Sequence, residues 1–396
     1  MVNLENKWVR GAIPALLLHC SIGSVYAWSL FVDPISNLLG NVSSQQVQMA
    51  FSLAIFFLGM SAAFGGKFVE KNVKRSALIS LCCFVGGLLV TSISVYFKSL
   101  IGIYLGYGCL MGIGLGVGYI TPVKTIMLWF EDQKGLATGL AITGFGLASA
   151  IASPIITHLN SNLPLHMTFL ILGILYTIPM FLAMILIHKP KDYVEPPEDE
   201  SFKLLSMFKK PAFVSIWIMI YINISAGLAL ISIAAPLMKE LGIALIVSTV
   251  IVGVMGVFNG SGRLVFSAAS DYLKDRVTIY EVIFILSIVM MVLAMVYPLS
   301  SVLGLLIISA TYGAGFSCLP SLLSDKFGMN HISKIHGLAL TAWAMAGLTG
   351  NQISAYVQQT TGTYTPVFVI LLVMYIVGLS MSFVLRRYGK NEVEVL

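Results

Sequence analysis

The chain has 396 residues, 58% of them hydrophobic and 10% charged, whereas soluble domains carry about 25% charged residues. With a mean hydropathy of +0.92, this composition excludes an ordinary water-soluble globular domain. The net charge of +6 is accounted for below by its distribution along the chain and needs no nucleic-acid partner.

Apolar blocks longer than about 18 residues recur from one end to the other. Taken in order, they predict twelve spans at 8–31, 45–65, 76–96, 99–126, 135–158, 166–188, 212–238, 243–269, 278–299, 301–323, 335–357 and 365–387. Backbone groups cannot be left unpaired in lipid, so the spans are expected to be helices, and the alternating polarity of a barrel strand is absent. The N-terminus carries Lys7 and Arg10, but no small-residue cleavage site follows a short apolar core. The block is therefore read as helix 1, not as a removable signal peptide.

Helix 1 carries His19 near the midplane, with Gly23 and Tyr26 on the same stripe. Histidine is the side chain whose unshifted titration lies nearest neutrality, so His19 is a candidate proton carrier or hydrogen-bond donor to a substrate. A neighbouring helix that simply satisfies its ring is the alternative. After the second span, Glu70 is followed by Lys74 and Arg75.

Helix 4 contains Gly106, Gly108, Gly112, Gly114, Gly116 and Gly118. Gly108, Gly112 and Gly116 fall on one stripe, and small residues let helices approach closely. No GxxxxGK[ST] occurs, so a built-in ATP motor is unsupported. Tyr119 lies eleven residues before Phe130, roughly 16 Å along the axis and near the midplane, where its hydroxyl could donate to a carboxylate. Lys124 lies roughly 9 Å from the inner end. Its stem could snorkel to the interface, or its charge could serve as a second cation on an anion path. Helix 5, with Gly135, Gly139, Gly144 and Gly146, is also suited to close packing.

Residues 189–210 form the longest polar loop and divide the chain into an N-terminal bundle (1–188), a central loop (189–211) and a C-terminal bundle (212–396). The end of the loop, SFKLLSMF, reads equally as a short interfacial helix or a plain linker. The halves echo each other. Pro122 and Phe130 precede Gly135-Leu136-Ala137, and Pro320 and Phe327 precede Gly337-Leu338-Ala339. An acid followed by cations recurs as Asp271, Lys274 and Arg276 after span 8. Repeats of this kind place a substrate site near the midplane and work by alternating access. Glu70, Arg75, Asp271 and Arg276 are the candidate cytoplasmic gating groups.

Helix 8 holds the most informative residue. Arg263 is eight positions before Asp271, which puts it roughly 12 Å from the charged end of a core about 30 Å thick. A guanidinium there costs at least about 2.5 kcal/mol and stays charged. Its planar fork matches a carboxylate, so an anion is the natural guest. Asn259 lies one turn earlier on the same face and could orient the guanidinium, bond the substrate or act as interhelical glue. No acid lies at matching depth in any span, which weakens the case for an internal ion pair.

With the N-terminus inside, inner segments hold 19 of the 23 Lys and Arg, outer loops hold Lys98 and Lys239, and Lys124 and Arg263 complete the total. The positive-inside rule then places both termini in the cytoplasm of a cell membrane. The same charges favour anionic lipid. All five cysteines lie in apolar spans as small hydrophobes, with no disulfide framework or metal site.

Several longer stretches carry a family resemblance. They are GSVYAWSLFVDPI at 23–35, WFEDQKGLATGLAITGFG at 129–146, DKFG at 325–328, GLALTAW at 337–343 and TGTYTPVF at 361–368. In these the chain resembles the major facilitator superfamily, and within it the oxalate:formate antiporter and monocarboxylate transporter group. The resemblance implies an all-α membrane fold of twelve transmembrane helices in two pseudo-symmetric six-helix bundles. It also implies exchange or uptake of small carboxylates, with Arg263 matching the family's carboxylate-binding arginine on helix 8. The family's exchanger has a helix-11 lysine where Trp343 stands here, which argues for a monocarboxylate with an apolar tail. The aspartate that animal monocarboxylate transporters carry one turn before the arginine is Asn259. Tyr312 and Trp343 would face inward.

The expectation is a secondary transporter of small organic anions such as lactate, pyruvate or formate, by proton symport or anion exchange. Arg263 is its anchor, and Asn259, Tyr119, Tyr312, Trp343 and His19 line the site. It is expected to need no cofactor and to act as a monomer in the bilayer. An oxalate/formate-type dicarboxylate exchanger, or an exporter of other small molecules, is the alternative. No HExxH or Gly-x-Ser-x-Gly occurs, so an intramembrane enzyme has no support.

Overall fold

The computed structural model describes residues 6–40, 42–194, 202–361 and 363–388, apart from the side chains at 44, 45, 67, 70, 235, 245, 249, 351, 354, 355, 358 and 359. Among the described residues every regular element is helical. The first half contains α1 (Trp8–Leu39), α2 (Ser44–Lys71), α3 (Val73–Tyr96), α4 (Leu100–Trp129), α5 (Glu131–Asn162) and α6 (Leu165–Leu186). The second contains α7 (Pro211–Glu240), α8 (Leu245–Ser270), α9 (Val277–Val296), α10 (Pro298–Phe327), α11 in two pieces (Ile332–Ala339 and Thr341–Thr361) and α12 (Thr365–Tyr388).

Among the described residues, eleven helices are long and apolar enough to cross a bilayer. The exception is α11, whose second piece carries Thr349, Gly350, Asn351 and Gln352 and whose ladder is interrupted at Leu340. Helix 1 also runs further than the apolar block at 8–31 suggested. Phe31, Val32 and Ile35 continue its buried face, and it ends at Gly40, whose φ of 75° is the left-handed geometry that glycine adopts freely. Its middle tightens to a 3-10 turn over Gly23–Trp28. The central loop contributes one short 3-10 helix, Leu204–Lys209, with Met207 buried.

Local signals set several of these boundaries. Ser43 and Gln46 form a reciprocal capping box at the start of α2, with the Ser43 N–H donating to Gln46 Oε1 at 2.9 Å. Asn72 Oδ1 accepts the Arg75 N–H at 3.0 Å and starts α3. Many apolar side chains point outward, among them Ile174, Ile178 and Ile185 of α6 and Val250, Val257 and Val265 of α8. Such continuous apolar surfaces suit lipid, not water.

The described residues form two compact units. One takes Met1–Asp132, Leu140–Pro196 and Ser333–Ala344; the other takes Gln133–Gly139, Pro197–Ile332 and Met345–Leu396. In the first, α1 packs on α4 and α6, α2 on α4, and α3 on α4 and α6. In the second, α7 packs on α10 and α12, α8 on α10, and α9 on α10 and α12. The pairing repeats after six helices, so the internal echo in the sequence is also an echo in packing.

The glycines of α4 make the first pattern possible. A Cβ on Gly108 or Gly112 would come within 2.8 Å of Leu53 Cβ or Phe57 Cβ on α2. A Cβ on Gly106 or Gly114 would come within 2.8 Å of Thr91 N or 2.5 Å of Phe84 N on α3. One helix thus presents two glycine faces to two neighbours. The stripe of Gly108, Gly112 and Gly116 serves α2, while Gly106, Gly114 and Gly118 serve α3.

Candidate functional site

The candidate residues fall into two clusters, one in each unit. In the second unit, Arg263 is 0% exposed on α8. Its Nε donates to Asn259 Oδ1 at 2.9 Å, the contact that i, i+4 spacing on a helix allows. The guanidinium carbon sits 5.2 Å from the ring centroid of Phe316 on α10, within the range of a cation–π contact. Both terminal nitrogens, Nη1 and Nη2, are buried without a hydrogen-bond partner among the described residues. Leaving donors of a buried cation unmade is expensive, more so than for a neutral group. The half of the guanidinium that would form a bidentate fork is therefore the half that the protein leaves unsatisfied.

This arrangement depends on close approach of α8 and α10. A Cβ on Gly313 would strike the Asn259 carbonyl oxygen and lie 3.0 Å from Arg263 Cγ. Ser317 Oγ donates to the Arg263 carbonyl oxygen at 2.8 Å. Tyr312 is buried one turn before Phe316, their rings 5.2 Å apart, and its carbonyl oxygen accepts from Asn223 Nδ2 of α7 at 3.3 Å.

In the first unit, His19 of α1 is also 0% exposed. Its Nδ1 lies 2.7 Å from the Ala141 carbonyl oxygen of α5 and its Nε2 lies 3.0 Å from the Tyr119 carbonyl oxygen of α4. The rings of His19 and Tyr119 stack at 5.1 Å. Tyr119 in turn meets Trp343 at 5.3 Å, Phe145 at 5.5 Å and His336 at 6.0 Å. His336 Nε2 is buried without a hydrogen-bond partner among the described residues.

Lys124 is only 3% exposed, and its Nζ lies 5.7 Å from the ring centroid of Tyr193 in the central loop. Lys189 approaches the same ring at 5.7 Å. At the end of α8, the Asp271 carboxylate accepts the Gly135 and Leu136 N–H groups of the first turns of α5, each at 2.8 Å. Arg276 bonds Asp271 and Asp325 at 2.7 Å each, and also Ser270. Burial works against the Arg276 charge, but the carboxylates of Asp325 and Asp271 outweigh it and hold the guanidinium above its ordinary range. Of the corresponding groups after α2, Arg75 stacks near Phe68 at 5.6 Å, and the Glu70 side chain lies outside the described residues.

The sequence did not single out Phe316, Ser317, Asn223, Phe145 or His336. Two of these had a usable signal. Phe316 follows Tyr312 at i+4, and His336 precedes Trp343 at i+7, so each shares a helical face with a residue that was singled out.

A helical chain with outward apolar faces, six-helix repetition and a buried cation defines a polytopic membrane transport protein. The chain belongs to the Major Facilitator Superfamily, whose sequence profile matches residues 15–351. It is 28% identical to the oxalate:formate antiporter of Oxalobacter formigenes, over 98% of this chain and 93% of that protein. It is 26% identical to monocarboxylate transporter 11 of Homo sapiens, over 72% of this chain and 64% of that one. Among solved structures, the proton:xylose symporter XylE superposes with a TM-score of 0.76 at 13% identity, covering 97% of this chain and 98% of that one. The fold is accordingly the twelve-helix major facilitator fold, and the protein is a membrane transporter, not an enzyme.

Proposed function

We propose that the protein is a secondary active transporter of small organic anions, most closely suited to a monocarboxylate of the lactate, pyruvate or formate kind. The observation that carries this reading is the Arg263 guanidinium. It is buried, held at Nε by Asn259, and has both terminal nitrogens unpartnered among the described residues. A carboxylate supplies two acceptors in the geometry of that fork and neutralises a charge that is costly in a membrane interior. Relatives named for oxalate, formate and monocarboxylates support the same class.

A monoanion entering against an inside-negative potential is opposed by about 2.3 kcal/mol per 100 mV. Co-moving a proton or exchanging a second anion removes that opposition, so coupling is by proton symport or anion exchange, with alternating access of the two halves. Trp343, packed among Tyr119 and Phe145, stands where the exchanger-like pattern has a lysine, which favours one carboxylate over two. The likeness to the oxalate:formate antiporter keeps dicarboxylate exchange as the second reading. The protein is assigned to a cell membrane with both termini cytoplasmic, on the strength of its inner Lys and Arg excess.

The test is labelled L-lactate uptake into proteoliposomes with an inward proton gradient and no internal anion, comparing the natural protein with Arg263→Gln. Gradient-stimulated uptake that vanishes in the variant is the expected result. Uptake by Arg263→Gln equal to the natural protein's would end the assignment of Arg263. If L-lactate is not carried, preloading with oxalate or formate tests the second reading.

A further inference from the structure

We infer that His19 is the proton-coupling group of this transporter, held as an imidazolium between α4 and α5. The inference rests on the anion-transport reading above and narrows its two coupling modes to proton symport.

The argument is one of hydrogen-bond valence. A backbone carbonyl oxygen only accepts, so each ring nitrogen facing one must donate. Nδ1 of His19 faces the Ala141 carbonyl at 2.7 Å, and Nε2 faces the Tyr119 carbonyl at 3.0 Å. A neutral imidazole has one N–H, in either tautomer. It would leave a nitrogen lone pair aimed at a carbonyl oxygen at hydrogen-bond distance. Only the imidazolium donates at both ends, so only the imidazolium satisfies the site as built. Loss of its proton removes one of the hydrogen bonds that join α1 to α4 and α5, which also include Tyr107 Oη to the Val25 carbonyl and Asn160 Nδ2 to the Leu30 carbonyl. The proton state is thereby connected to helix packing, which a coupling group requires.

The surroundings support the assignment. The His19 ring stacks on Tyr119 at 5.1 Å and meets Phe145 of α5 edge-on at 6.3 Å. The titratable groups around it are Tyr119 on α4, Cys20 beside it on α1, and His336 on α11, whose ring is 6.0 Å from that of Tyr119. The Nε2 of His336 is a second buried ring nitrogen of the cluster, without a hydrogen-bond partner among the described residues.

The direct test needs no substrate. The chain has six histidines, so 15N-histidine-labelled protein in lipid nanodiscs gives a small set of ring signals, and His19→Gln identifies one pair. At pH 7 both nitrogens of His19 are expected to show the near-equal shifts of an imidazolium. One protonated and one bare nitrogen at pH 6 to 7 overturns the inference, whatever the transported anion is. The transport test uses proteoliposomes with L-lactate and formate as probes. His19→Gln is expected to lose at least tenfold of the stimulation by an inward proton gradient, a larger factor than it loses in anion counterflow. Undiminished stimulation in His19→Gln overturns the inference. Arg263→Gln is expected to lose both modes, so failure of the anion reading appears in the arginine variant and failure of the proton assignment in the histidine variant.

Discussion

The two units answer the same structural problem with different chemistry. In the first, α1 is tied to α4 by His19, whose Nε2 meets the carbonyl oxygen of Tyr119 at 3.0 Å. In the second, the equivalent pair, α7 and α10, is tied by Asn223, whose Nδ2 donates to the carbonyl oxygen of Tyr312 at 3.3 Å. The acceptor is a tyrosine carbonyl in both; the donor is a titratable ring in one and an uncharged amide in the other. The charge differs as well. The second unit carries a permanent cation, Arg263, on α8, whereas α2, the counterpart of α8, has no charged residue from Gln46 to Gly66. A duplicated scaffold can keep its helix pairing while the polar side chains that tie its helices differ between the halves.

That contrast can be broken first at its strongest point. Arg263→Lys keeps the charge but loses the planar fork, so uptake should fall about 10²-fold, the scale of losing one arm of a buried charged pair at about 2–5 kcal/mol. Retention of more than half the uptake would show that charge alone suffices. Gly313→Ala should come next. Its methyl presses on the Asn259 carbonyl and Arg263 Cγ, at about 1–3 kcal/mol for overpacking, read as a lowered thermal midpoint in detergent. Phe316→Leu removes the ring face beside the buried guanidinium, a contact of about 2 kcal/mol when desolvated, read as a lowered thermal midpoint. Asn259→Ala removes the acceptor that holds Nε and should raise the apparent KM about tenfold, with about 1.5 kcal/mol at stake. In an Arg263→Gln background, which carries no uptake, Asn259→Ala should leave the thermal midpoint unchanged, because the two act as a unit. Asn223→Ala sharpens the comparison of the two ties. It should destabilise by about 1 kcal/mol with little change between pH 5.5 and 8, whereas the effect of His19→Ala should vary over that range.

Much of this was legible in the amino-acid order because lipid leaves few choices. Backbone pairing forces helices, and the length of the apolar blocks sets their number. The Arg263–Asn259 contact follows from spacing within one helix, and so does the α4 stripe that meets α2. What escaped involves partners from elsewhere in the chain. The alternation of glycines gave α4 its second face, but not that α3 would fill it. Phe316 could be placed beside Tyr312 by its register, yet its position under Arg263 depends on how closely α8 and α10 approach. The carbonyls that flank His19 belong to Ala141 and Tyr119, and no side-chain pattern reports where a backbone oxygen will point. The interruption at Leu340 was hidden too: in the structure a Cβ on Gly59 of α2 would strike the Leu340 carbonyl, a long-range contact with no local sign.

The two glycine faces of α4 also bear on how this half of the molecule can move. Interdigitated backbones in near-contact on both sides act like a meshed gear: α2 and α3 cannot creep along α4 by a fraction of a turn without backbone collisions at Gly112 or Gly114. Packed interfaces of this kind shift between discrete registers or not at all. The first unit's central helices should therefore turn as one block during a transport cycle.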